Sequence, residues 1–134
     1  MMNGARRGLM PADNAFPALR AGQIVVADWR GDAKPKEPDK LRPAVVVEDD
    51  ELFAPEYPNV VLVPLTEDAA LAIPDLSVPI APTAENGCAK PCLAVSHLVT
   101  ATSKARLRAT PSRITPEQLA AIRSQIALAI GLAM

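Results

Sequence analysis

The run Asn59-Val60-Val61-Leu62-Val63-Pro64-Leu65-Thr66 restricts this chain more than any other stretch. Its apolar side chains fill both alternating sets of positions, so as a strand it must be covered on both faces. Pro64 offers no N–H to a neighbouring strand and therefore marks a sheet edge, a bulge or the last turn out of the sheet. A second apolar run, Pro43-Ala44-Val45-Val46-Val47, is stiff at χ1 and suited to a pleated, half-buried surface. Pro43 biases Arg42 towards an extended backbone, which puts one permanent positive charge at the rim of a core strand.

Further β-type runs surround these two. Gly22 opens a strand over Gln23-Ile24-Val25-Val26-Ala27-Asp28, and Leu76-Ser77-Val78-Pro79-Ile80 alternates at period two. Cys92–Ser96 and Leu98–Ala101 make one bent strand or two. Ala105–Ala109 follows, with Arg106 and Arg108 on the face opposite Leu107. Between them lie Phe53–Pro58 as a turn, Glu67–Pro74 as a polar or briefly helical connection, and an Asn86-Gly87 turn. Trp29–Leu41 is a long connection with no hydrophobic period, of the kind that in a compact domain more often serves function than packing. About six short strands separated by proline, glycine and acidic breaks predict a mainly β chain built as a small barrel, not a layered α/β fold.

The one clear helix comes last. Thr115 is its N-cap, Pro116 its first residue and Gln118 the third-position partner of a capping box. Leu119, Ile122, Ile126 and Ile130 recur at helical spacing, so one stripe packs on the barrel and Gly131 ends the helix. This amphipathic helix is structural.

At 134 residues, 49% hydrophobic and 22% charged, the chain is expected to form a single soluble domain. No apolar run approaches the ~20 residues that cross a bilayer, so no membrane partner is expected. Residues 1–20 carry Arg6 and Arg7 but are broken by Pro11, Asp13 and Pro17, which fits a flexible tail and not a secretory signal. The remaining residues, 21–134, form the domain, and the expected location is cytoplasmic. Net charge is −1, unevenly spread: Glu48 to Lys90 holds nine acids and one lysine, while Lys104, Arg106, Arg108 and Arg113 follow without an acid. Two basic segments bracket an acidic middle, either as solvated loops or as two arms converging on a polyanion.

Cys88 and Cys92 are the only thiols and His97 the only imidazole, too few for a closed zinc site, so no metal and no cofactor are expected. Two reduced, partly buried thiols fit better than a disulfide closing so small a loop. No glycine-rich phosphate loop, HExxH or GxSxG pattern occurs.

Gly22-Gln23-Ile24-Val25 at a strand start, the long loop, Arg42-Pro43-Ala44-Val45-Val46-Val47, then Val63-Pro64-Leu65-Thr66, Ser96-His97-Leu98-Val99 and a closing amphipathic helix together resemble the MazF/PemK (Kid) toxin family over about residues 22–132. The resemblance implies an SH3-like barrel with a C-terminal helix (CcdB/Kid/MazF-like), a homodimer and a toxin of a type II toxin–antitoxin system. It also implies metal-independent, sequence-specific cleavage of single-stranded RNA to 2′,3′-cyclic phosphate and 5′-OH ends, inhibiting translation and growth. The implied partners are single-stranded RNA and a cognate acidic antitoxin (MazE/PemI-like), with operator DNA met only through the antitoxin complex.

By the same resemblance, Arg42 and Thr66 fall on catalytic positions. A guanidinium and a hydroxyl aimed at phosphoryl oxygens would stabilise the charge that builds there as the 2′-OH attacks phosphorus. Trp29, Arg30, Lys34, Lys36 and Lys40 in the long loop are expected to contact RNA, with Trp29 either stacking on a base or capping the barrel. Ser96 and His97 are RNA contacts or packed strand residues. Two other readings stay open: a gyrase-poisoning, CcdB-like toxin, which would need neither Arg42 nor Thr66, and a catalytically silent barrel that binds RNA or protein.

Overall fold

The computed structural model describes residues 18–28 and 41–132. They form seven antiparallel strands: β1 (Gln23–Asp28), β2 (Leu41–Val46), β3 (Asn59–Thr66), β4 (Ser77–Ile80), β5 (Cys92–Val95), β6 (Thr100–Ser103) and β7 (Leu107–Arg113). One helix, α1 (Pro116–Ala129), follows. The architecture is the mainly β one expected, with a single C-terminal helix. Hydrogen bonding runs in the order β4-β5-β3-β2-β1-β7, and β6 joins β3 beside this path. The ends of the path do not pair with each other, so the barrel is open.

β3 is the hinge of this arrangement. Its first half, Asn59–Leu62, pairs with β6, and its last two residues, Leu65 and Thr66, pair with Ala94 and Leu93 of β5. Pro64 sits between those two pairings, opposite Ala44 of β2. The missing N–H thus falls where β3 changes partner and one flank carries no registered strand, which reconciles a proline with a central strand.

Alternate residues of the central strands feed two cores, as the apolar run of β3 requires. Ile24, Val45, Val63, Leu65 and Ile80 join Ile114 and Ile122 in one. Val25, Ala44, Val46, Val60, Leu62 and Leu107 form the other. Each fully buried valine here contributes about 1.5–3 kcal/mol of transfer free energy. The second cluster makes the central strands hydrophobic on both sides, so alternation alone does not fix their register.

The helix begins as the sequence predicts: Thr115 Oγ1 accepts the Gln118 N–H at 3.0 Å while Gln118 Oε1 accepts the Thr115 N–H at 2.9 Å. Ile122 is fully buried, and Leu119 and Ile126 pack around it. Arg123 fixes the helix to the end of β2, donating from Nε to Val47 O at 2.9 Å and from Nη2 to Glu48 O at 3.0 Å. Ile130 departs from the expected stripe. The helix ends at Ala129, Gly131 takes φ +89°, and Ile130 is left 66% exposed.

Of the one bent strand or two expected over Cys92 to Ala101, the structure has two, because Ser96–Leu98 turns as a 3-10 helix. The last strand starts later and runs longer than Ala105–Ala109, since Ser103 Oγ accepts the Ala105 N–H at 3.2 Å and starts a 3-10 turn over Lys104–Arg106. No helix among the described residues is long and apolar enough to cross a membrane.

Candidate functional site

β2 and β3 pair with Ala44 opposite Pro64 and Val45 opposite Val63. That pairing ends at Ala44 and Pro64, and Arg42 and Thr66 each lie two residues beyond it, at the same end of β2 and β3. Both strands reach this end just as the core runs out, so Ala44 to Val47 are buried while Arg42 is exposed and Thr66 half-buried. The rim position expected for Arg42 is therefore the one it holds.

Both residues line one cavity of about 640 Å³. Its near wall is the ends of β2 and β3, continuing through Glu67, Asp68 and Leu71. Its far wall is Gly87, Cys88, Ala89, Lys90 and Cys92, returned to this place by the β4–β5 pairing. That wall is held from behind by Asn86, which is buried. Asn86 Oδ1 accepts the N–H groups of Thr83 and Cys88 at 3.0 and 2.9 Å, and Nδ2 donates to Ala81 O at 2.8 Å. Gly87 takes φ +64°, which an L side chain resists, and a Cβ there would stand 2.7 Å from Ser112 Oγ.

Thr66 Oγ1 accepts the Asp68 N–H at 3.0 Å. The hydroxyl keeps its hydrogen as a donor. The Arg42 side chain makes no hydrogen bond or ion pair among the described residues, and it lines the cavity. A guanidinium and a hydroxyl donor lining one concave site are suited to holding a phosphodiester.

Cys88 and Cys92 are free, half-buried thiols packed against the core beneath the cavity. Burial, then Cys88 beside it and Glu67 nearby, pushes the Cys92 thiol up to about 12 from an ordinary value of 9.0. It stays protonated at neutral pH, which removes it as a nucleophile. Among the described residues no three His, Cys, Asp or Glu side chains gather as a metal site.

Of the other expected contacts, the two that are described, Ser96 and His97, do not line this cavity. Trp29, Arg30, Lys34, Lys36 and Lys40 lie outside the described residues. Ser96 is fully buried, and its hydroxyl donates to Gln125 Oε1 on α1 at 2.7 Å. It is spent inside the fold, because a hydroxyl in the core needs an internal partner. His97 lies in the same 3-10 turn, half-buried, with Nδ1 buried and unpartnered among the described residues, and it does not line the cavity. Glu67, Asp68 and Lys90 are the cavity groups that sequence reasoning passed over. The first two follow Thr66 directly in the chain; Lys90 reaches the site only through tertiary pairing.

Residues 20–130 match the model of a family described as PemK-like, MazF-like toxin of type II toxin–antitoxin system. Among solved structures, the Mycobacterium tuberculosis toxin MazF-mt6 is similar at 22% identity and TM-score 0.63, covering 84% of this chain and 99% of its own. A mycobacterial endoribonuclease in complex with its cognate antitoxin is similar at 19% identity and TM-score 0.63, covering 87% and 99%. MazE–MazF from Deinococcus radiodurans is similar at 17% identity and TM-score 0.57, covering 88% and 98%. At these identities the likeness establishes the shared fold. No curated protein matches the chain in sequence.

Proposed function

The chain belongs to the PemK-like, MazF-like toxins of type II toxin–antitoxin systems, and we propose that it acts there as a metal-independent endoribonuclease on single-stranded RNA. The observation that supports this reading is that Arg42 and Thr66, each just beyond the β2–β3 pairing, line one cavity. Arg42 binds the scissile phosphate in bidentate fashion and stabilises the charge that develops on its non-bridging oxygens. Thr66, its acceptor side fixed by the Asp68 N–H, donates to one of the same oxygens. The neighbouring 2′-OH attacks phosphorus, the bond to the 5′-oxygen breaks, and the products are a 2′,3′-cyclic phosphate and a 5′-OH.

The cognate partner in this reading is an acidic antitoxin whose chain competes with RNA for the basic surface, as folding-on-binding segments do. Relatives solved with an antitoxin support that partner. The working form is a cytoplasmic homodimer, and operator DNA is met only through the antitoxin complex. Within the loop outside the described residues, Trp29, Arg30, Lys34, Lys36 and Lys40 are assigned to the RNA track.

The test is cleavage of a mixed-sequence RNA in EDTA, with the ends of the fragments sequenced. Wild-type protein is expected to cut, and Arg42→Ala to lose about 10²-fold or more in rate. Cutting that EDTA stops, or full activity in Arg42→Ala, overturns the mechanism. Binding of RNA should weaken as salt rises, because each phosphate contact releases counterions.

A further inference from the structure

Transfer to the 2′-oxygen needs a group that takes the hydroxyl proton, and among the described residues the cavity offers six side chains with proton chemistry: Arg42, Glu67, Asp68, Cys88, Lys90 and Cys92. Arginine and the lysine ammonium carry donors only, and a guanidinium is not deprotonated in proteins. Cys92 is held in its thiol form by burial and by its neighbours. Cys88 is half-buried against the core and directs its S–H to Asn86 O at 3.8 Å. Asp68 is committed to local structure. Its Oδ1 accepts the Ala70 N–H at 2.9 Å, capping the 3-10 turn over Ala69–Leu71, and its own N–H donates to Thr66 Oγ1.

Glu67 is what remains. It is exposed, follows Thr66 in the chain, lines the cavity and makes no hydrogen bond or ion pair among the described residues. It shares that cavity with Arg42 and with the Cys92 wall opposite. The Asp68 backbone N–H thus holds the Thr66 hydroxyl and its carboxylate caps the 3-10 turn, while the Glu67 carboxylate has no partner among the described residues.

We propose that Glu67 is the general base of this site, a role that rests on the nuclease reading above. Its carboxylate takes the proton of the attacking 2′-OH as the bond from that oxygen to phosphorus forms. The bond from phosphorus to the 5′-oxygen breaks, its electron pair leaves with that oxygen, and water supplies the proton that makes it a hydroxyl. Arg42 supplies charge stabilisation and no proton transfer.

The experiment uses full-length protein and the short RNA that spans a mapped cut, with Glu67→Gln, Glu67→Asp and Arg42→Ala compared with wild type. Glu67→Gln is expected to lower kcat by about 10²–10⁴-fold, to flatten the acid limb of the pH profile of kcat/KM, and to leave RNA affinity and thermal midpoint close to wild type. Glu67→Asp keeps a carboxylate and is expected to retain the acid limb at reduced rate. An RNA with sulfur in place of the scissile 5′-oxygen has a leaving group that needs no proton. It should restore little activity to Glu67→Gln, since the lost step is proton removal from the 2′-OH. Wild-type-like rates or an intact acid limb in Glu67→Gln, or full rescue by the sulfur substrate, overturns the assignment while an inactive Arg42→Ala leaves the nuclease reading standing. A wild-type protein that cuts no RNA in EDTA overturns both.

Discussion

Ser96 offers a clean separation between a residue that touches RNA and one that holds the fold, and Ser96→Ala separates them by experiment. The hydroxyl is fully buried and donates to Gln125 Oε1 at 2.7 Å, while Gln125 Nε2 donates to Ser77 O at 3.3 Å. This side-chain relay ties α1 to the turn after β5 and to β4. Removing the hydroxyl leaves Gln125 Oε1 without its partner in a half-buried place, which costs about 1–3 kcal/mol. On a domain of this size that lowers the thermal midpoint by on the order of 4 °C per kcal/mol.

The assay is urea unfolding at fixed protein concentration, because association would otherwise shift the midpoint. Ser96→Ala should move the midpoint with the slope unchanged, and its kcat/KM on RNA should stay within about twofold of wild type. In a Gln125→Leu background the same substitution should cost roughly 1 kcal/mol less, the coupling expected of direct partners. A shift below about 0.5 kcal/mol, or an equal loss in both backgrounds, would refute the structural role. Lost RNA affinity at unchanged stability would return Ser96 to the RNA-binding surface.

Gly87→Ala places a Cβ 2.7 Å from Ser112 Oγ at a φ of +64°, and the left-handed backbone alone costs about 1–2 kcal/mol. The far wall should shift, so RNA cleavage is expected to fall along with the urea midpoint, and Ser112→Ala in the same chain should recover only the part due to contact. Cys92, pushed up to about 12 by burial and its neighbours, should resist iodoacetamide at pH 7.5; prompt alkylation there, read by peptide mass, would contradict its protonated state. Its shift also fixes the sign of alkaline behaviour. The unfolded thiol ionises near its ordinary 9.0 and the folded one near 12, so the unfolded state binds fewer protons in between and stability falls across that window. Cys92→Ser should flatten that fall in a pH series of unfolding midpoints.

Local signals in the chain were enough for most of the elements. Alternation in Gln23–Asp28, the apolar run of Asn59–Thr66 and the Thr115-Pro116-Gln118 cap each act over a few residues and need no distant partner to be legible. The rim position of Arg42 was legible for the same reason, since Pro43 and the valines after it set where the core begins. The order of motifs was enough to suggest the family.

What the sequence could not decide depends on which segments meet. Pro64 is accommodated in a central strand only because β3 changes partner there, from β6 to β5. Ser96 and Gln125 lie 29 positions apart, and their hydrogen bond exists only once α1 packs on the sheet. The Cys88–Cys92 wall comes opposite Arg42 through the β4–β5 and β3–β5 pairings. Alternation and capping are short-range consequences of backbone geometry, whereas a cavity forms from burial and register contributed by several strands together. For that reason the chain by itself identified the strands, the helix and the charged rim, and only the tertiary structure decided which carboxylates, thiols and hydroxyls face that rim.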